Sequence, residues 1–160
     1  GYDSAVFDQY MRPEELKELV ALYAAVLEKA APPKADKVEW KVPARLNRFI
    51  RLTVEEYDYF PSKRDLTSFF DAEKPLGTLR CNRRKKYQIA YLIRRLNEEG
   101  VVQAPHGAVF RIFEEACVDK DEKKLFSRLR RDAQKFLKDK EKFQTEISET
   151  EEIITELRRS

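Results

Sequence analysis

The amino-acid sequence predicts a mainly α-helical protein, a helical bundle of ordinary domain size. The chain has 160 residues, of which only four are glycine and 38% are charged, and helix-forming residues dominate. Apolar residues recur at three- and four-residue spacing in several segments, which is the pattern of amphipathic helices. The sequence contains no apolar run of about 18 residues, which is the length that predicts a membrane-spanning helix. Cys81 and Cys117 lack neighbouring Cys or His residues, which favours reduced thiols in the cytoplasm.

The first part of the chain contains one clear helix and one ambiguous segment. Residues 13–31 begin with a proline, carry one apolar stripe and end at a proline pair, so they are predicted to be helical. Residues 38–42 alternate between apolar and polar side chains, which predicts a short strand. Residues 46–57 favour a helix, although Phe49–Thr53 also fits a strand.

Two helices with a long connection are predicted in the centre of the chain. Ser62–Asp65 has the form of an N-terminal capping box and begins a short helix. Asn82 is a suitable N-cap for a second helix over residues 83–99, and Gly100 supplies its end. Val101-Val102 is predicted to begin a small strand, which leaves room for one small β-hairpin in the fold.

The last part of the chain is predicted to form one long helix or a helical hairpin. Residues 108–118 favour a helix, with a wing strand at 109–113 as the alternative. Asp119–Glu122 then forms a capping box, and a heptad register runs to the end of the chain. Its core positions are Phe126, Leu129, Ala133, Phe136, Lys140, Phe143, Ile147, Thr150, Ile154 and Leu157. We therefore predict a helical domain at 1–118 and a C-terminal element at 119–160 that packs internally or forms a homodimer.

The distribution of charge predicts an anionic partner. Basic side chains outnumber acidic ones about two to one between residues 37 and 97, whereas acidic ones are in excess elsewhere. No acidic residue occurs from Arg80 to Arg95, and four basic residues stand at 83–86, where the second helix begins. Cations are unfavourable there because the N-terminal end of a helix already carries about half a positive charge. A sequence with this arrangement is expected to present that end to an anion, and nucleic acid is the first candidate.

The unit 62–102 has the layout of a helix-turn-helix or winged-helix module, whose second helix enters the DNA major groove. In this interpretation helix 83–99 is the recognition helix, and Gln88 contacts a base edge. The connection at 72–82 is longer than the usual tight turn. The predicted DNA-binding residues are Lys63, Arg64, Arg80, Arg83, Arg84, Lys85, Lys86 and Gln88.

A resemblance to winged helix-turn-helix regulators adds to this interpretation. The segments Tyr87–Val102, Phe110–Val118 and Leu129–Leu137 together resemble RteC-type regulators of bacterial conjugative transposons in the order and pattern of their elements. The resemblance implies a bacterial DNA-binding protein that regulates transcription or a mobile element.

Other functions receive less support from the sequence. The E-x-K of Glu39-Trp40-Lys41 is the fragment that PD-(D/E)xK nucleases use to hold a metal, but no strand supplies the further Asp. His106 is the only histidine and is expected to be exposed in a turn. The aromatic residues Trp40, Tyr57, Tyr59 and Phe60 are expected in the core, with base stacking as the alternative. We therefore predict a non-enzymatic protein that binds duplex DNA and needs no metal or cofactor; the alternative is a helical scaffold module with an acidic protein partner.

Overall fold

The computed structural model describes residues 36–159, and these residues belong to one structural unit. The predicted helix 13–31 lies outside the described residues. The fold is mainly helical, as predicted, and it contains two small sheets where one small hairpin was expected. The α-helices are α1 (Leu46–Arg51), α2 (Lys63–Phe70), α3 (Lys86–Glu98), α4 (Val109–Ala116), α5 (Leu129–Asp132), α6 (Lys135–Lys138) and α7 (Gln144–Arg158). The strands are β1 (Glu39–Trp40), β2 (Leu79–Arg80), β3 (Val102–Gln103) and β4 (Cys117–Val118). None of the helices between residues 36 and 159 has the length and apolar character that crossing a bilayer requires.

Each of the two sheets joins strands that are distant in sequence. β1 pairs antiparallel with β3, and Trp40 lies opposite Val102. β2 pairs parallel with β4, and Leu79 lies opposite Cys117. The predicted strands at 38–42 and after Val101 are thus confirmed, but neither sheet is a hairpin. The connection between α2 and α3 contains β2, so it differs from the tight turn of a helix-turn-helix unit.

The capping residues Ser62 and Asn82 mark helix starts as predicted. Ser62 Oγ accepts a hydrogen bond from the Asp65 amide at 3.2 Å at the start of α2. Asn82 Oδ1 accepts from the Arg84 amide at 3.1 Å, and a 3₁₀ turn at Arg83–Lys85 then leads into α3. These bonds satisfy amides that a helix start leaves without a partner. Gly100 ends α3 with a φ of 70°, a left-handed conformation that glycine adopts without strain.

Helix is also the correct prediction for both ambiguous segments. α1 continues into a π-helical turn at Leu52–Glu56, so the segment 46–57 is helical and not a strand. In this turn Thr53 is fully buried, and its hydroxyl donates to the Phe49 carbonyl at 2.8 Å. The wing strand at 109–113 is not formed because α4 occupies these residues.

The capping box at Asp119 does not begin a helix. Asp119 Oδ1 accepts from the amides of Asp121 at 2.9 Å and Lys123 at 3.0 Å, which closes a tight loop. Asp side chains stabilise such turns as readily as helix starts, so the same residue pattern fits both. Regular helix begins only at Leu129, and α5 and α6 are single turns. The heptad register therefore does not describe one helix; the C-terminal helix is α7, the longest helix among the described residues.

The C-terminal residues belong to the same core as the rest of the described chain. Ile153, Ile154 and Leu157 of α7 are at most 2% exposed and pack with the core residues of α1 and α3. Aromatic rings belong to the same core, with centroid distances of 4.8 Å for Trp40–Phe49 and 5.0 Å for Phe69–Phe113. Trp40, Tyr59 and Phe60 are buried, as expected, and Tyr57 is half-buried against them. A homodimer through residues 119–160 stays a prediction.

Candidate nucleic-acid interface

The cationic start of α3 is matched by carboxylates of the same chain. Lys85 Nζ lies 3.3 Å from Glu149 Oε1, and Gln88 Nε2 donates to the same oxygen at 3.2 Å. Lys86 Nζ lies 3.9 Å from Asp132 Oδ2. The anion expected at this helix start is therefore present within the protein, on α5 and α7.

The loop after β4 supplies two further carboxylates. Arg83 Nη2 lies 2.8 Å from Asp119 Oδ2, and Arg80 Nη2 lies 3.7 Å from Glu122 Oε1. The pKa of the Asp119 carboxyl is lowered by the hydrogen bond from the Lys123 amide and by Arg83, so this group is an anion at neutral pH. Arg83 and Arg80 keep about half of their side-chain surface exposed.

The predicted recognition helix is a central helix of the fold. α3 packs against α4, α5, α6 and α7, and seven of its 13 residues are buried. Gln88 is only 8% exposed, so its amide does not face solvent as base recognition requires. Contacts of Lys85, Lys86 and Gln88 with DNA would therefore compete with bonds inside the protein, and they stay a prediction. The cause of these internal bonds is the packing of the C-terminal residues over α3, which local sequence does not reveal.

The other predicted DNA-binding residues differ in whether their charge is already paired within the protein. Lys63 pairs with Glu55 beside α2. Arg64 and Arg84 are exposed and form no ion pair with any described residue. The structure thus leaves Arg64 and Arg84 without an ion pair among residues 36–159 and engages the other predicted cations in ion pairs within the chain.

A different group of cations lines a surface cleft beside the start of α3. This basic cleft has a volume of about 420 Å³ and is lined by Tyr87, Ser127, Arg128, Arg131, Asp132, Lys135 and Lys138. Its four cations make no ion pair within residues 36–159. Asp132 is the one acidic residue of the lining, and its charge is shared with Lys86. The cleft therefore carries an excess of positive charge that the described residues leave uncompensated.

Two sets of residues on and beside α5 and α6 form this cleft, one apolar and one cationic. Leu129, Ala133 and Phe136 are buried and hold the segment on the core. The cations at 128, 131, 135 and 138 recur at spacings of three, four and three residues, which places them on one face of helical segments. The Leu129 amide also donates to Glu114 Oε2 of α4 at 3.2 Å. This cationic stripe is visible in the sequence, whereas the heptad register of the same residues rests on their apolar positions alone.

A second cleft shares part of this lining. It has a volume of about 380 Å³ and again contains Ser127, Arg128 and Arg131, together with Arg130, Glu114 and Arg111, which pairs with Asp36. The Arg130 guanidinium lies 4.7 Å from the centroid of the Phe110 ring, which covers that ring from solvent. Positive charge therefore continues from the basic cleft across the start of α5.

The remaining chemical groups are not assembled into a reactive centre in the described part of the chain. Glu39 and Lys41 are exposed and pair with each other at 3.4 Å. His106 is exposed in a 3₁₀ turn, as predicted. Cys81 and Cys117 are buried free thiols, and burial raises the pKa of Cys81. Between residues 36 and 159 no group of His, Cys, Asp and Glu side chains is arranged to hold a metal ion. No family model, curated protein or solved structure matches this chain.

Proposed function

We propose that the protein binds nucleic acid without catalysing a reaction, and that the basic cleft is its contact surface. The observation that carries the proposal is the grouping around one cleft of four cations, Arg128, Arg131, Lys135 and Lys138, that form no ion pair within residues 36–159. Phosphate groups of a nucleic acid are dense enough in charge to satisfy several of them at once. Arginine also suits phosphate because its planar guanidinium donates two parallel hydrogen bonds.

Duplex DNA is the target that the sequence favours, and a regulatory role rests on the resemblance alone. Arg84 is exposed at the start of α3, three residues before Tyr87 of the cleft. A nucleic-acid backbone that follows the cleft is expected to extend towards this residue. Contacts of this kind position a protein on nucleic acid without reading its sequence.

Removal of two cleft arginines is expected to weaken binding and flatten its salt dependence. We expect Arg128→Gln with Arg131→Gln to lower the affinity for a random duplex in low salt. The slope of log affinity against log salt should decrease by about 0.9 for each phosphate that the double variant no longer neutralises. Fluorescence anisotropy over a salt series measures both quantities.

The matched control removes two cations that neither line the cleft nor belong to the predicted DNA contacts. Arg51 of α1 and Lys120 of the loop after β4 are exposed and form no ion pair with described residues. Arg51→Gln with Lys120→Gln makes the same change in net charge. An equal loss of affinity in both double variants would show diffuse attraction and contradict a cleft-centred site. Undetectable binding of the unmodified protein to duplex and single-stranded probes alike in low salt would refute the proposed function.

Neutralising the one carboxylate of the cleft is expected to strengthen binding. Asp132→Asn removes a negative charge from the lining and releases Lys86. Two unit charges about 4–8 Å apart interact by roughly 0.5–1 kcal/mol in water, so we expect affinity to rise about twofold to fivefold. Glu141→Gln is the control because Glu141 is exposed and outside the lining. An unchanged affinity in the Asp132→Asn protein, measured by the same titration, would contradict the assignment of this cleft.

A further inference from the structure

Tyr87 differs from the other tyrosines of the described chain in the hydrogen bonding of its hydroxyl. The hydroxyls of three tyrosines bind partners on α7: Tyr57 with Glu152 at 2.7 Å, Tyr59 with Thr150 at 3.0 Å and Tyr91 with Glu151 at 2.7 Å. The Tyr87 hydroxyl makes no hydrogen bond with any residue from 36 to 159, and its ring does not belong to the core cluster. Packing and hydrogen bonding therefore do not explain why a tyrosine occupies this position.

The surroundings of the Tyr87 ring are cationic. Lys135 Nζ lies 3.6 Å from the ring centroid, and Lys86 Nζ lies 5.4 Å from it. The half-buried ring lines the basic cleft beside Arg128 and Arg131. An aromatic ring between cations is the arrangement by which proteins bind unpaired bases: the ring stacks on the base and the cations bind the adjacent phosphates.

We propose that the basic cleft takes single-stranded nucleic acid, with one base stacked on the Tyr87 ring. This inference rests on the proposed function and specifies its ligand. The base displaces the Lys135 ammonium from the ring, and Lys135 then joins Arg128 and Arg131 in binding phosphate. A volume of about 420 Å³ lies within the range of roughly 300–1,000 Å³ that small-molecule sites occupy, so the size of the cleft is compatible with one nucleotide unit.

Single-stranded ligand is favoured over duplex because of what a stacking ring requires. The bases of a duplex are already stacked on one another, and exposing one of them costs an unstacking energy of a few kcal/mol. The cations of the cleft bind the phosphates of a single strand and of a duplex alike, whereas the Tyr87 ring adds affinity only for an unpaired base. The contribution of the ring is therefore the property that distinguishes the two ligands.

The test compares three probes and two substitutions at one position. The probes are a thymidine oligonucleotide of about ten residues, an oligonucleotide of the same length without bases, and a random duplex. Tyr87→Leu removes the aromatic ring, and Tyr87→Phe keeps it. Thermal unfolding of both variants establishes that they are folded. Affinities are measured by anisotropy in low salt.

We expect Tyr87→Leu to weaken binding of the thymidine strand about fivefold or more, the effect of losing one stacked base. Tyr87→Phe should bind it like the unmodified protein. Binding of the abasic strand and of the duplex should be the same for all three proteins. An equal effect of Tyr87→Leu on every probe, or no effect on the thymidine strand, overturns this inference but leaves nucleic-acid binding intact. Absence of binding to all probes overturns the proposed function and this inference together.

Discussion

Replacing Phe126 by alanine is expected to lower the free energy of unfolding by about 3–5 kcal/mol, whereas the same change at Phe143 should cost only about 1 kcal/mol. Phe126 is fully buried in the core that joins the C-terminal residues to the rest of the described chain. Phe143 is half-buried and contacts Phe136 at a centroid distance of 4.9 Å. Truncation at Phe126 leaves a cavity inside the core, but truncation at Phe143 removes only one partly exposed ring from the surface.

This pair of substitutions tests the arrangement of residues 119–143 directly. Both phenylalanines occupy core positions of the heptad register, so a continuous helix would bury them to a similar degree. Urea titration followed by circular dichroism gives the free energy of unfolding of each variant. Lys140→Ala is the control, because Lys140 also has a heptad core position but is exposed, and its change should stay within about 0.5 kcal/mol. Equal losses for Phe126→Ala and Phe143→Ala would contradict the interrupted C-terminal segment.

Sequence reasoning succeeded where the determining interactions are short in range. The caps at Ser62 and Asn82 join a side chain to an amide two or three residues later, so the local sequence contains the whole interaction. The same locality explains the error at Asp119. Its carboxylate binds amides two and four residues later, and a turn and a helix start offer similar partners over that range.

The charge pattern was informative, but its partner was not visible in the sequence. The cations at 83–86 require an anion. Glu149, which lies 61 residues after Gln88 in the sequence, pairs with Lys85 and accepts a hydrogen bond from Gln88. Such a distant pair is determined by tertiary packing of α7 on α3. The cations of the basic cleft, in contrast, lie close together in the sequence, at helical spacing from 128 to 138. This stripe is therefore predictable from the charge pattern of α5 and α6.

The contact between α3 and α7 continues at Arg95, where one guanidinium serves three carboxylates. Arg95 Nε donates to Glu151 Oε1 at 2.6 Å, and its terminal nitrogens lie 3.0 Å from Glu98 and 3.1 Å from Glu99. The Tyr91 hydroxyl donates to the same Glu151 oxygen, and burial together with this bond raises the pKa of Tyr91 to about 12. The Arg95 side chain is only 16% exposed, so its charge is less screened by water than that of a surface ion pair.

Replacing Arg95 by methionine is expected to lower the free energy of unfolding by about 1–3 kcal/mol at neutral pH. Methionine keeps most of the aliphatic packing but leaves three carboxylates close together without their common donor. Arg94→Met is the matched control: Arg94 is the neighbouring residue and forms a single helix-surface pair with Glu98 at 2.7 Å, so its loss should cost about 0.3–0.5 kcal/mol. Equal costs for the two variants would contradict a central role for Arg95.

The pH dependence of this difference gives an independent test. Partial burial opposes ionisation of Glu98, but hydrogen bonds from Arg94 and Arg95 outweigh it and lower the pKa. The pKa of Glu99 is lowered mainly by Arg158, with a contribution from Arg95. A carboxyl whose pKa is lower in the folded state stabilises the fold above its unfolded pKa of about 4.3 and loses this effect as pH falls through the folded value. The difference in unfolding free energy between the unmodified protein and Arg95→Met should therefore be largest near neutral pH and decrease below about pH 4. A difference that stays constant down to the acid transition would show that Arg95 acts through packing and not through its charge.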